Sequence, residues 1–208
     1  MHNLIRRATG LAAVALVFAA CVAFAQTPPA NPPVRVRGTV EKVDGTTMMV
    51  KLLDGQNASI KLADNVRVLG LEKIAIADVK PGNYVGISSM PQTDGTQKAI
   101  HVHIFPDALR GVAEGHTPWD SRPGAMMTNA SVESTVSGND GQTLIVKYKD
   151  GEKKVIVPPD AVIVKYVPGD KAELAPGAKI FIANAQRQPD GTLSAANVSV
   201  GRGITPPM

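Results

Sequence analysis

Cysteine is almost absent from this chain: Cys21 lies in the N-terminal apolar segment and none follows it. Once that segment is removed, disulfides, thiol catalysis and cysteine-based zinc sites are excluded. Aromatics are scarce as well. Only Tyr84, Phe105, Trp119, Tyr148, Tyr166 and Phe181 follow residue 25, too few for the stacking platforms of a nucleic-acid groove. Neither sign of charge dominates: residues 1–25 hold two of the 22 Lys and Arg and none of the 18 Asp and Glu, which leaves a net of +2 in the remainder. Such a balance implies no polyanionic partner, so no nucleic acid is expected. Long helical periodicity is missing, which argues against a bundle or a doubly wound α/β fold. Gly-rich phosphate loops and a recognisable Ser/His/Asp arrangement are missing too, and the expectation is a protein that is not an enzyme.

The N-terminus has the layout of a secretory signal. Arg6 and Arg7 precede an uncharged apolar run from Leu11 to Phe24, and Ala23-Phe24-Ala25 offers small residues for cleavage before Gln26. That run of 14 residues is shorter than the roughly 20 that span a bilayer as a helix. A periplasmic or secreted protein without a membrane span is expected. Phe18-Ala19-Ala20-Cys21 also resembles a lipoprotein cleavage site, which would leave Cys21 acylated as an anchor. The two cuts remain alternatives.

Six Asp-Gly pairs punctuate the rest, at Asp44, Asp54, Asp94, Asp140, Asp150 and Asp190, and the first three recur 96 positions later. Between alternating stretches this pair signals a hairpin, with type I′ turns expected. The flanks agree: Val50-Lys51-Leu52-Leu53 corresponds to Val146-Lys147-Tyr148-Lys149, and Lys80-Pro81-Gly82 to Ala175-Pro176-Gly177. A tandem repeat follows. Each copy reads as short strands, for Val34, Val36 and Val40 alternate with polar residues at a period of two, and Ile76–Val79 makes one helical turn. The expectation is an all-β fold of two tandem small OB-like β-barrels, each with one short helical turn. They would occupy 34–105 and 130–201, after a signal peptide (1–25) and a proline-rich lead (26–33). The segment 106–129 connects them and 202–208 forms a tail.

Gly38-Thr39-Val40-Glu41-Lys42-Val43-Asp44-Gly45, then Ala77-Asp78-Val79-Lys80-Pro81-Gly82-Asn83-Tyr84-Val85, then Asp94-Gly95-Thr96, resembles a bacterial domain of unknown function found in exported proteins as small OB-like barrels, often repeated. Ala77 stands where that pattern usually has Leu. The whole layout, including Glu114-Gly115-His116-Thr117-Pro118-Trp119-Asp120, resembles proteobacterial exported proteins often labelled as metal-transporter permease components. A permease needs several membrane spans, so the resemblance implies at most an accessory role outside the membrane. It supplies no catalytic residues.

The connector is too long for a simple link and is where a site is expected. His101, His103 and His116 are the only histidines after residue 25. With Ile100, Val102 and Ile104 facing inward, His101 and His103 share the outer face of one strand. They are either solvated or the core of a metal site, with His116, Glu114 or Asp120 as a third ligand for Zn(II), Cu(II) or Ni(II). Met126 and Met127 could suit Cu(I) or simply pack. Trp119 is either an anchor for the connector or an exposed recognition residue. Two readings follow: a non-catalytic periplasmic binding or scaffold protein whose connector, with Glu114, Trp119 and Asp120, meets a small ligand or protein partner, and a metal-binding accessory protein using the three histidines.

Overall fold

The computed structural model describes residues 32–207, apart from 139 and 140; the segment read as a signal peptide, with Cys21, lies outside the described residues. It is all-β. The strands are β1 (Val34–Asp44), β2 (Thr47–Leu52), β3 (Asn57–Lys73), β4 (Tyr84–Pro91), β5 (Gln97–Ile104), β6 (Gly115–Pro118), β7 (Met126–Gly138), β8 (Gly141–Tyr148), β9 (Gly151–Val157), β10 (Val162–Pro168), β11 (Lys179–Arg187) and β12 (Leu193–Gly201). Single 3-10 turns at Ile76–Asp78 and Lys171–Glu173 precede β4 and β11. No helix among the described residues is long and apolar enough to cross a membrane.

Strand pairing closes two rings. The first runs β1-β2-β3-β12-β11 and back to β1. The second runs β7-β8-β9-β5-β4 and back to β7, its parallel β5–β9 contact confined to Gln97↔Val155 and Lys98↔Ile156. Neither ring is contiguous in sequence, so the barrels expected at 34–105 and 130–201 are not formed as such. Each ring takes three strands from one half of the chain and a terminal pair from the other. The physical reason is that β3 is a single long strand. Its first part pairs with β2 and its end pairs antiparallel with β10, Leu71 opposite Tyr166, which carries the chain across to the second ring before β4 begins. In the second half Pro158 and Pro159, lacking a free N–H, interrupt the equivalent path between β9 and β10.

Each ring has its own apolar filling. Val36, Val40, Met48, Ile60, Leu62, Ile180 and Val198 pack inside the first. Val85, Ile87, Val102, Val132, Leu144 and Val155 pack inside the second. A smaller cluster of Leu71, Val164 and Phe181, with Trp119 and Tyr166 against it, fills the seam between them.

The Asp-Gly turns differ from expectation in detail. Gly45, Gly55, Gly95 and Gly191 have positive φ, but among the described residues the only non-glycine with positive φ is Ala113, so Asp44, Asp54, Asp94 and Asp190 do not and their turns are not type I′. Asp54, Asp94 and Asp190 instead accept the backbone N–H two residues on, each at 2.9 Å, and hold the turn through a side-chain bond.

The exchanged pairing has a direct consequence. A protease site inserted between Arg110 and Gly111, in an exposed turn, separates β1–β5 from β6–β12. After cleavage the two pieces should still elute together on gel filtration and part only in denaturant. Pieces that separate without denaturant would mean that the rings close within each half.

Candidate functional site

The seam is built from the outer faces of β4, β5 and β7, β1 and β11 of the other ring, and the connector. On β5, alternation sends Val102 into the barrel and His101 and His103 outward, as expected, but the outer face is not solvated. His101 is 0% exposed and His103 3%. The reason is two-sided cover: β10 lies parallel beside β5, Val162 level with His101 and Val164 with His103, and the seam cluster packs above. Tyr84 through Ser89 on β4 are likewise all buried.

The two imidazoles stack, centroids 5.6 Å apart and planes 23° from parallel. His103 meets Phe105 edge-on at 4.6 Å and Tyr166 at 5.5 Å, and Phe105 stacks on Tyr166 at 5.6 Å. Burial pushes His101 down to about 3, helped by the Arg37 guanidinium. Burial and then neighbouring His101 hold His103 well below the usual imidazole value. Both rings are therefore neutral near pH 7, each offering one N–H and one bare nitrogen. Yet Nδ1 and Nε2 of His101, Nδ1 of His103, Nε1 of Trp119 and Oδ1 of Asn129 have no hydrogen-bond partner. Each such orphan costs about 1–3 kcal/mol.

The three histidines do not converge. His116 pairs with Thr128 across β6–β7, Thr128 with Ile87, and Ile87 with Val102, so His116 shares the inward phase and lies on the opposite face from His101 and His103. Its Nδ1 is 2.8 Å from Thr128 Oγ1. Glu114 is engaged elsewhere, accepting from Lys149 N at 3.0 Å. Asp120 accepts from Arg37 Nη2 at 2.7 Å and lies 3.4 Å from Arg35 Nη1. Among the described residues no group of three or more His, Cys, Asp and Glu is placed to hold a metal ion. Strand alternation, applied through two further strands, turns His116 away from the other two.

Trp119 behaves as an anchor. Its backbone N–H donates to Ala125 O at 2.8 Å, and Arg35 Cζ sits 4.0 Å over its ring, so the connector is pinned to β1 of the first ring by Trp119 and Asp120 together. Met127 is buried in the seam, 5% exposed, and packs there.

Trp119 also lines a cavity of about 180 Å³, with Phe105, Tyr166, Phe181, His103 and Arg35 among its walls. Four of the six aromatics after residue 25 thus meet in one place. A second cavity of about 260 Å³ adjoins it, sharing Phe105, Val112, Tyr166, Phe181, Ala183 and Asn184 and adding Arg67, Asn197 and Ser199. Tyr166, Phe181, Ala183, Asn184 and the two arginines were not expected at the site. Their signal in the sequence is the scarcity of aromatics: Tyr166 and Phe181 are two of only six after residue 25. No protein-family model, curated protein or solved structure matches this chain.

Proposed function

We propose that this chain is an exported, non-catalytic binding protein whose site is the seam between two OB-like barrels, the connector forming one wall. The observation that carries this is the convergence of unpartnered buried polar atoms (on His103, Trp119 and Asn129) at a cavity walled by aromatics. An aromatic cavity with a few placed polar groups is the usual character of a small-ligand site. Export rests on the arginine-then-apolar pattern of residues 1–25.

The same reading includes an internal duplication with exchanged strands. β4 (Tyr84–Pro91) and β11 (Lys179–Arg187) stand about 95 positions apart, as do β5 and β12, and the 3-10 turns. Each ring, numbered along either copy, has the order 1-2-3-5-4, with the third and fifth strands parallel, the order of a five-stranded Greek-key barrel of OB type.

Ala183 is exposed and borders both cavities, so Ala183→Phe fills the groove without disturbing either core. In a ligand-observed NMR screen of a small-fragment library, hits on the wild-type protein should disappear with Ala183→Phe. Hits that survive it would place binding elsewhere and sink the seam reading.

A further inference from the structure

The walls of the two joined cavities contain two guanidinium groups, Arg35 at one end and Arg67 at the other, and no carboxylate. The imidazole of His103 between them adds no charge, because burial keeps it neutral. The middle is aromatic: Phe105, Tyr166 and Phe181. An apolar slot with cations at its ends and no acid complements a ligand that is apolar in body and negative at one end.

Arg35 is the better placed of the two cations. It sits over the Trp119 ring, and its one acidic neighbour, Asp120, is 3.4 Å away and bonded more closely to Arg37, at 2.7 Å. A loosely held guanidinium can present its planar fork to an incoming carboxylate, for which two parallel N–H···O bonds are the favoured geometry. Size agrees as well. A dry cavity of roughly 150 Å³ accepts benzene, so the 180 Å³ beside Arg35 has room for one ring with a carboxylate attached.

Resting on the seam reading above, we propose that the seam binds a small aromatic carboxylate, its ring among Phe105, Tyr166 and Phe181 and its carboxylate on Arg35. Benzoate is the probe, benzamide its neutral isostere, and Trp119, the only tryptophan in the chain, reports occupancy by fluorescence, with calorimetry alongside. Benzoate should bind saturably with a dissociation constant below about 1 mM, and benzamide at least about tenfold more weakly. Arg35→Gln should weaken benzoate by about tenfold or more while Arg35→Lys recovers part of the loss, since the charge returns without the fork. Ala183→Phe should abolish benzoate binding. Equal binding of benzamide and benzoate would overturn the carboxylate assignment and leave the seam as a site. Benzoate binding that persists in Ala183→Phe, or is indifferent to Arg35→Gln, overturns the placement. No response to either probe, by fluorescence or calorimetry, overturns the carboxylate assignment, and the fragment screen with Ala183→Phe then decides the seam separately.

Discussion

Gly86→Ala is expected to be strongly destabilising. Gly86 lies on β4 between His103 on β5 and Asn129 on β7, in register with both. A Cβ at Gly86 would overlap His103 Nε2 and stand 2.7 Å from Asn129 Oδ1. Neither neighbour can swing aside: His103 is wedged against Phe105 and Tyr166, and Asn129 donates to Ala113 O at 3.1 Å. Overpacking of this kind costs about 1–3 kcal/mol and occasionally more, and with two rigid neighbours the upper part of that range is expected. Urea denaturation followed by circular dichroism would measure it. The cause is local, so Gly86→Ala combined with His103→Ser should be less damaging than the sum of the two single changes, by a coupling of about 1 kcal/mol or more. Strict additivity would mean that the clash with His103 is not what makes the glycine necessary.

The choice of serine is not arbitrary. Across β11–β12, Phe181 is paired with Ser199, and across β4–β5, Gly86 is paired with His103. These are corresponding positions of the two halves, one small residue and one ring in each, with the order reversed. The volume is conserved while the side that supplies the ring changes. In the sequence His103 aligns with Ser199, and the alignment reads only as a demand for something polar. The compensation appears once the cross-strand register is known, because Gly86 and Phe181 are far from their partners along the chain.

The same limit explains what else was legible. Alternation in β1 and β5, the Asp-Gly turns and the single helical turns are local, and local chemistry specifies them: period-two burial, side-chain-braced turns, a 3-10 turn capped by Asp170. Which half closes with which is not local. Two halves with matching strand patterns offer each ring the same backbone bonds and the same apolar filling whether its last two strands come from its own half or the other. Sequence patterning is therefore silent on the exchange. The fate of the outer face followed from that. A strand reading Ile-His-Val-His-Ile faces water if its barrel stands alone. It faces a second barrel when β10 and Phe181 are carried against it, and imidazole is apolar enough, once neutral, to be buried there.

Acid should destabilise the protein well above the pH at which its carboxylates titrate. His101 and His103 have folded values far below the 6.5 of an unfolded chain, His101 at about 3. A group whose folded value is depressed in this way binds its proton more readily when unfolded, so unfolding takes up protons and stability falls as pH drops below 6.5. Each histidine contributes a slope of up to about 1.4 kcal/mol per pH unit, so the pair removes several kcal/mol between pH 6.5 and 4.5. His116, held lower by burial and by Lys153, adds in the same direction. The carboxylates held low, among them Asp94, Asp120, Glu173 and Asp190, contribute stability that is lost only as pH falls below their unfolded values near 4. The window from 6.5 to 4.5 therefore belongs to the imidazoles. Urea midpoints measured at half-unit steps across it should fall steeply for the wild-type protein. They should flatten in His101→Asn/His103→Ser, which installs the residues that β12 carries at the corresponding positions, Asn197 and Ser199. Those side chains do not titrate. A double variant that keeps the wild-type slope would show that the acid sensitivity arises outside the seam.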